Sequence, residues 1–190
     1  AFSSCSNLSS VAIPETMVSI GNSAFYRCSK LNRIVIPNSV TSIGSNAFYG
    51  CNLYLVVNFS ELKFTKGETS YGYVAYYASN LIEGKDVERI DDCYFNTVDG
   101  VHTLVYYAGD EAEPSLPDNY KGENYNIGYR AFSGCTGLAN ITIPEGVTSI
   151  GSEAFSGCSS LTAINIPKNM TSIGSSVFSG CSSLTSIIIP

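Results

Sequence analysis

The amino-acid sequence predicts a repeat solenoid of right-handed 23-residue coils, with short parallel strands, short helical turns and one β-rich insert. Three observations lead to this prediction: a fixed repeat length, a recurring apolar pattern within each repeat, and one interruption of the series. Segments that begin with Ala-Phe recur every 23 residues within two blocks. Their first residues are Ala1, Ala24, Ala47, Ala131 and Ala154, and Val177 begins a sixth segment. Such self-similarity at a fixed period is the sequence signature of a repeat architecture.

The repeat that begins at Ala131 shows the elements of one coil in order. Residues 138–143 alternate between apolar and polar, as a strand buried on one face requires. Pro144 ends this strand, because proline cannot donate a hydrogen bond to a neighbouring strand. The Ile-Gly pair that ends at Gly151 predicts a turn with positive φ at the glycine. The following Gly-x-x-Ala-Phe predicts one short helical turn.

The register of the strand predicts which side chains are buried. Arg33 and Ser42 should be exposed, because alternate strand residues face opposite sides, and a slip of one residue would reverse them all. The predicted core positions of this repeat are Leu31, Ile34, Ile36, Val40, Ile43 and Phe48.

The two ends of the chain fall inside the repeat pattern, so we expect a fragment of a longer protein. The chain begins within a coil and stops directly after a strand. An end coil lacks a covering neighbour. Leu184, Ile187 and Ile189 should therefore be less covered than Leu161, Ile164 and Ile166.

One 23-residue unit cannot bury its apolar face alone, whereas stacked units can, at a spacing of roughly 5 Å. The pattern Cys-x-x-Leu-x-x-Ile-x-Ile-Pro-x-x-Val-x-x-Ile-Gly-x-x-Ala-Phe resembles the BspA-type, or treponemal-type, leucine-rich repeat over residues 1–59 and 127–190. The fold class expected is therefore a leucine-rich-repeat solenoid. The resemblance implies a bacterial cell-surface or secreted protein that adheres to host matrix proteins or to other cells. It implies no catalytic residues.

The repeat series is interrupted between Ala47 and Ala131, which lie 84 residues apart. We therefore divide the chain into N-terminal leucine-rich repeats at 1–59, an insert subdomain at 60–126 and C-terminal leucine-rich repeats at 127–190, all within one continuous solenoid.

The insert is predicted to be rich in β-structure. Asp99-Gly100 lies between two β-prone runs, residues 93–98 and 101–107, and predicts a hairpin with a type I′ turn, which needs positive φ at both central residues. The run Tyr71 to Tyr77 is predicted to form a further strand. The hairpin tip should project from the solenoid.

The insert differs from the coils in its chemistry. Residues 60–125 hold 13 of the 16 acidic residues and 5 of the 10 lysines and arginines, so this segment has a net charge of -8. It also holds nine of the 13 tyrosines, a residue type that recognition surfaces favour. The alternative is that these rings build the small core of the insert. The candidate ligand-binding tyrosines are Tyr71, Tyr73, Tyr76, Tyr77, Tyr94, Tyr106 and Tyr107.

The outward-facing strand positions of the coils provide three further candidates for ligand binding, Arg33, Asn140 and Asn165. Most residues on this face are small and uncharged, so no column of charged or aromatic side chains indicates a ligand.

The sequence predicts neither a catalytic centre nor a metal or cofactor site. Six cysteines occupy one repeat position, which places their thiols in a line rather than around a point, so we expect free, buried thiols. Cys93 should pack in the hairpin. His102 pairs with Thr97 in the predicted hairpin register and should be a solvated strand residue. The six repeat cysteines are Cys5, Cys28, Cys51, Cys135, Cys158 and Cys181.

Composition narrows the expected partners. The net charge is -6, which disfavours nucleic acid, and no apolar run is long enough to span a bilayer. We expect a non-catalytic binding or adhesion module at the cell surface or in secreted form, with a host matrix or cell-surface protein as its ligand. The alternatives are a passive spacer or display scaffold and, more weakly, a glycan-binding module, since the chain has no tryptophan.

Overall fold

A computed structural model describes residues 1–188, which form two compact units. The first unit extends from Ala1 to Asp86, and the second begins at Val87. The strands are β1 (Ser19–Ile20), β2 (Arg33–Ile36), β3 (Ser42–Ile43), β4 (Leu55–Asn58), β5 (Asn80–Glu83), β6 (Val87–Ile90), β7 (Cys93–Val98), β8 (Val101–Tyr107), β9 (Tyr125–Ile127), β10 (Asn140–Thr142), β11 (Val147–Ile150), β12 (Ala163–Asn165), β13 (Ser172–Ile173) and β14 (Ser186–Ile188). Two short 3₁₀ turns occupy Tyr71–Tyr73 and Gly84–Asp86.

The first unit is a stack of coils joined by two parallel ladders. One ladder is the sheet β2-β4-β5, and the other pairs β1 with β3. In the first ladder Arg33 lies opposite Leu55, and Leu55 lies opposite Asn80. Residues 60–86, assigned to the insert on sequence, thus contain a strand that continues the ladder of the preceding coils.

The second unit has the same coil arrangement with a hairpin added to one ladder. One sheet is β10-β12-β14, whose strands pair in parallel with a shift of one repeat. The other has the order β13-β11-β9-β8-β7-β6, in which β8 pairs with β9 in parallel and with β7 in antiparallel fashion. Asp99 and Gly100 have φ of 51° and 77°, which confirms the predicted turn, and both residues are exposed.

The hairpin also takes the place of a coil. Gly128 donates its backbone N–H to the Leu104 carbonyl, as Gly151 does to the Ile127 carbonyl one repeat later. The Tyr107 N–H donates to the Ala131 carbonyl, just as the Phe132 N–H donates to the Ala154 carbonyl one repeat later. The hairpin therefore continues this sheet through β8.

The Ala-Phe segment of each coil forms a turn that links neighbouring coils. Phe25 donates its N–H to the Ala47 carbonyl at 2.8 Å, and Phe132 donates to the Ala154 carbonyl at 2.8 Å. The phenylalanine rings stack in columns. Their ring centroids are 5.3 Å apart for Phe25 and Phe48, and 4.9 Å apart for Phe132 and Phe155.

The predicted core register is confirmed at most positions. Leu31, Ile34, Ile36, Val40 and Phe48 are buried, Ser42 is exposed, and Ile43 is half-buried. At the last coil, Leu184 is half-buried and Ile187 is 42% exposed, whereas Leu161, Ile164 and Ile166 are buried, as predicted; Ile189 lies outside the described residues.

The prediction that Arg33 is exposed is wrong, because only 4% of this residue is accessible. Arg33 pairs in register with Leu55 of β4, and all four residues of β4 are buried, so both faces of that strand are covered. The methylene stem of an arginine packs along such an apolar surface. The sequence pattern correctly places Ile34 inside but gives no sign that the opposite face is also buried.

The glycine after the second strand has a different role from the one predicted. A positive φ occurs two residues later, for example at Asn46 (56°) and Glu153 (55°). Gly44 is instead required by close approach, since a Cβ there would lie 2.5 Å from the backbone nitrogen of Asn22 in the preceding coil. Side chains essentially never tolerate such a distance, so the coils can stack only with glycine here.

The thiols are free, and most of those in the repeats bond to the preceding coil. Cys51 Sγ donates to the Phe25 carbonyl at 3.1 Å, and Cys181 Sγ donates to the Phe155 carbonyl at 3.1 Å. Burial raises the pKa of Cys51 to about 12. Cys28, Cys51, Cys93 and Cys158 are buried, Cys135 and Cys181 are half-buried, and Cys5 is exposed.

Candidate binding surface

Five tyrosines of the first unit form a continuous row, which we call the tyrosine strip: Tyr26, Tyr49, Tyr73, Tyr76 and Tyr77. The centroids of neighbouring rings are 5.3 Å apart for Tyr26–Tyr49, 5.1 Å for Tyr49–Tyr73, 5.4 Å for Tyr73–Tyr76 and 4.7 Å for Tyr76–Tyr77. Three of these residues are well exposed: Tyr49 at 40%, Tyr76 at 38% and Tyr77 at 58%. The strip is therefore a connected aromatic surface that solvent can reach.

The repeat itself places the first two rings of the strip. Tyr26 and Tyr49 each follow an Ala-Phe pair and lie 23 residues apart, so the stacking of coils brings them face to face with an interplanar angle of 14°. The equivalent residues of the second unit are serines, for example Ser133 and Ser156. Sequence reasoning missed these two tyrosines, although a comparison of the repeats at this one position would have found them.

A left-handed backbone turn presents the next part of the strip. Tyr71, Gly72 and Tyr73 have φ of 49°, 63° and 70°. A Cβ at Gly72 would lie 2.7 Å from the backbone nitrogen of Ala47, so glycine lets this turn approach the coil before it. The prediction of a strand from Tyr71 to Tyr77 is therefore wrong, because the close approach at Gly72 produces a 3₁₀ turn instead.

The turn separates two of the predicted binding tyrosines. Tyr71 packs against the core and meets the Phe64 ring edge-on at 5.4 Å, whereas Tyr73 joins the strip. Positive φ is uncommon for bulky residues and is sustained only where the surrounding packing enforces it.

The three predicted binding tyrosines of the hairpin are buried. Tyr94 and Tyr106 pair across β7 and β8 with ring centroids 5.4 Å apart. Tyr107 belongs to the core, where its ring stacks on Phe132 at 4.9 Å. Tyr107 thus has surroundings different from those of the Tyr94–Tyr106 pair, and packing accounts for all three rings.

The remaining candidates lie on the strands of the coils. Asn140 is half-buried, and its amide donates to Glu113 Oε1 at 2.8 Å while its carbonyl oxygen accepts from Thr162 Oγ1 at 2.9 Å. Asn165 is exposed, on the next strand of the same sheet. Arg33, which is buried, does not belong to any accessible surface.

His102 is more enclosed than the sequence suggests. The predicted pairing with Thr97 is confirmed, with Thr97 Oγ1 2.8 Å from His102 Nδ1. The other ring nitrogen lies 3.4 Å from a Glu123 carboxylate oxygen, and the ring meets Tyr120 edge-on at 4.9 Å. Its side chain is only 11% exposed, so the prediction of a solvated residue is wrong.

Two features of residues 1–188 concern metal binding and membrane crossing. Nowhere in that range do three or more His, Cys, Asp or Glu side chains come close enough to hold a metal ion. None of the helical segments there is long and apolar enough to cross a membrane.

Stacked coils of about 23 residues with parallel strands and little helix define a leucine-rich-repeat protein. The sequence profile of the BspA type Leucine rich repeat region, in six copies, matches residues 1–105 and 115–190. The chain therefore belongs to the BspA-type leucine-rich-repeat family. No curated protein sequence matches it.

Several solved bacterial structures resemble the chain. A leucine-rich repeat protein from Eubacterium ventriosum is 24% identical with a TM-score of 0.50, over 99% of this chain and 62% of that one. A leucine rich cell surface protein from Faecalibacterium prausnitzii is 24% identical with a TM-score of 0.44, over 94% and 52%. The T. pallidum Leucine Rich Repeat protein is 26% identical with a TM-score of 0.37, over 91% and 52%. The chain thus spans about half the length of the last two proteins.

Proposed function

We propose that this chain is a non-catalytic binding module of a bacterial cell-surface or secreted protein. In this proposal its ligand is a protein, such as a host matrix or cell-surface protein, and the tyrosine strip is the contact surface. Membership of a family of repeat scaffolds supports the binding role, and the F. prausnitzii relative is a cell surface protein. The observation that carries the proposal is the strip itself, because tyrosine supplies large contact area at low entropic cost.

The strip combines two parts of the chain. Tyr26 and Tyr49 come from the N-terminal repeats at 1–59, and the other three come from the segment 60–126 that we propose as the insert. The contact is therefore assigned to the junction of repeats and insert, rather than to the insert alone.

A protein ligand fits the strip better than a glycan does. A sugar ring would stack on an open aromatic face, but Tyr26 and Tyr49 stack on each other and the Arg27 guanidinium lies over Tyr26, 5.2 Å from its ring centre. These contacts occupy ring faces of Tyr26 and Tyr49 that a sugar would need.

The test replaces two exposed members of the strip with serine. Tyr49→Ser combined with Tyr77→Ser removes strip surface, and at position 49 serine is the residue that coils of the second unit carry, for example at Ser133. Binding is measured by surface plasmon resonance on immobilised fibronectin, laminin and collagen, and on a glycan array. We expect the chain to bind at least one matrix protein and the double variant to bind it about tenfold or more weakly, since central aromatic residues dominate interfaces.

The control is Tyr129→Ser, which removes a tyrosine of similar exposure (39%) outside the strip. It should leave affinity unchanged. Equal binding by the double variant and the wild type would refute the strip as the contact surface. Failure of the wild type to bind any matrix protein would favour the passive spacer, and binding to glycans alone would favour the carbohydrate module.

A further inference from the structure

The second unit contains a cavity of about 480 Å³ beside the base of the hairpin. Arg89, Asp91, Asp92, Tyr107 and Glu111 line it, together with other residues of the segments 89–93 and 107–115. It is separate from the tyrosine strip, which lies entirely in the first unit.

The cavity carries a surplus of negative charge. Three carboxylates face one guanidinium, and that guanidinium is already engaged: Arg89 Nη2 lies 3.2 Å from Asp92 Oδ1, and Nε donates to the Asp91 carbonyl at 2.6 Å. Burial, then Asp92, then Glu111 raise the pKa of the Tyr107 hydroxyl far above its ordinary value. The carboxylates of Asp91 and Glu111 therefore lack a cationic partner within the cavity.

Tyr107 contributes a second, independent feature. The residue is 3% exposed, and within residues 1–188 its hydroxyl is buried without a hydrogen-bond partner. Such groups are rare in folded proteins, because a buried hydroxyl without a partner has lost its hydrogen bonds to water and gained none in return. A Cβ at Gly109 would collide with this hydroxyl and come within 2.9 Å of Asp92 Oδ2, so the hydroxyl and the carboxylate lie beside the same bare glycine.

We propose that this cavity binds a primary ammonium group, the end of a lysine side chain on a partner protein. An ammonium group has three donors and no acceptor, so it matches carboxylate oxygens and a phenol oxygen that lacks a donor. The carboxylates do not converge closely enough to hold a metal ion anywhere in the described residues, which favours an organic cation over a divalent metal. The proposal deepens the proposed function and rests on it for the nature of the partner as a protein.

A lysine suits the cavity better than an arginine does. The guanidinium group is a planar fork that seeks a bidentate carboxylate, and the carboxylate of Asp92 is already shared with Arg89. An ammonium group is a compact charge that can lie between several oxygens. Part of the charge attraction should be lost as salt concentration rises, since the cavity opens to solvent.

The test is an NMR titration of the whole chain with the peptide acetyl-Gly-Lys-Gly-amide. We expect saturable shifts confined to residues 89–93 and 107–115, and at least fivefold weaker binding of the arginine and norleucine counterparts. Glu111→Gln, which neutralises one carboxylate with little change of shape, should weaken lysine-peptide binding severalfold. Asp99→Asn makes the same change of charge at the hairpin tip, where Asn-Gly also suits the turn, and should have no effect.

Tyr107→Phe separates a ligand contact from a structural role. Removal of an unpartnered hydroxyl should leave the melting temperature unchanged or raised. Binding of the lysine peptide should nevertheless weaken about threefold or more. Tyr125→Phe is the matched control, because the Tyr125 hydroxyl donates to the Pro117 carbonyl at 2.8 Å; this variant should lose stability and retain the peptide site.

Three outcomes would overturn the proposal: no saturable shifts, equal shifts with the norleucine peptide, or unchanged affinity in both Glu111→Gln and Tyr107→Phe. The result is independent of the strip, since Tyr49→Ser with Tyr77→Ser should not alter lysine-peptide binding. Loss of matrix-protein binding in the strip variant and loss of peptide binding in the cavity variants can therefore be told apart.

Discussion

The six repeat cysteines provide a sharp test of how the coils stack, because buried and exposed members of this set should differ greatly in reactivity. Cys51 is 1% exposed and donates to a carbonyl of the preceding coil, whereas Cys5 is exposed. The thiolate is the species that attacks an alkylating reagent. Burial raises the pKa of Cys51 from 9.0 to about 12. At pH 8 the thiolate fraction then falls from roughly 10% to roughly 0.01%, about a thousandfold.

The assay is alkylation of the folded protein with iodoacetamide at pH 8, followed by peptide mass spectrometry over time. Cys51 should react at least about a thousandfold more slowly than it does in denaturant, because steric exclusion adds to the loss of thiolate. Cys5 provides an internal control and should react at nearly the same rate in both conditions. Folded Cys51 reacting within tenfold of its denatured rate would refute the buried, hydrogen-bonded thiol. Recovery of three or fewer free thiols after denaturation without reductant would instead indicate disulfides.

Two further predictions concern stability. Gly44→Ala should destabilise the protein by about 1–3 kcal/mol in urea unfolding, because its Cβ would meet the preceding coil. Gly21→Ala, at the same repeat position with no atom within 4 Å of the added Cβ, should cost nothing; equal losses would contradict the close-approach argument. Burial raises the pKa of Cys51 and Cys93 to about 12, so the folded state holds both protons longer than the unfolded state does. Stability should therefore be full below pH 9 and decline as pH rises from 9 toward 12, and a flat melting temperature across that range would contradict the prediction.

The coils could be predicted from sequence because every coil repeats the same burial problem. A 23-residue period and an alternating strand place Leu31, Ile34 and Ile36 inside without any knowledge of the rest of the chain. The hairpin could also be predicted from sequence, because Asp99 and Gly100 both favour the positive φ that its turn requires. Both patterns depend only on residues that are close together in sequence. They therefore predict the structure correctly without knowledge of the tertiary contacts.

The errors arise where a residue depends on a neighbour far away in sequence. Arg33 is buried because its face of the sheet is covered, and the alternation of β2 contains no information about that cover. The residues around Tyr71 look like a strand by composition, but the approach of Gly72 to Ala47 makes them a turn.

The candidate surface was predicted in part. Tyr73, Tyr76 and Tyr77 were candidates on composition, and the structure joins them to two tyrosines of the preceding coils that composition did not indicate. The contacts between these tyrosines depend on how the coils stack. The 23-residue spacing alone does not show on which side of a turn a tyrosine ring lies.

The hairpin of the second unit shows that a coil can pack against a neighbour that is not itself a 23-residue repeat. The hairpin meets the next coil through the ladder between β8 and β9, the Leu104 carbonyl, the Tyr107 amide and the Tyr107 ring. A polypeptide that offers a strand edge, these two hydrogen-bonding groups and a flat ring at these points can occupy a place in the row. Such an interface is modular, so coils can be exchanged for elaborated segments without redesign of the coils behind them. Energetic coupling then passes only between adjacent modules, and a change in the hairpin should be felt first at Phe132 and progressively less with each module beyond it.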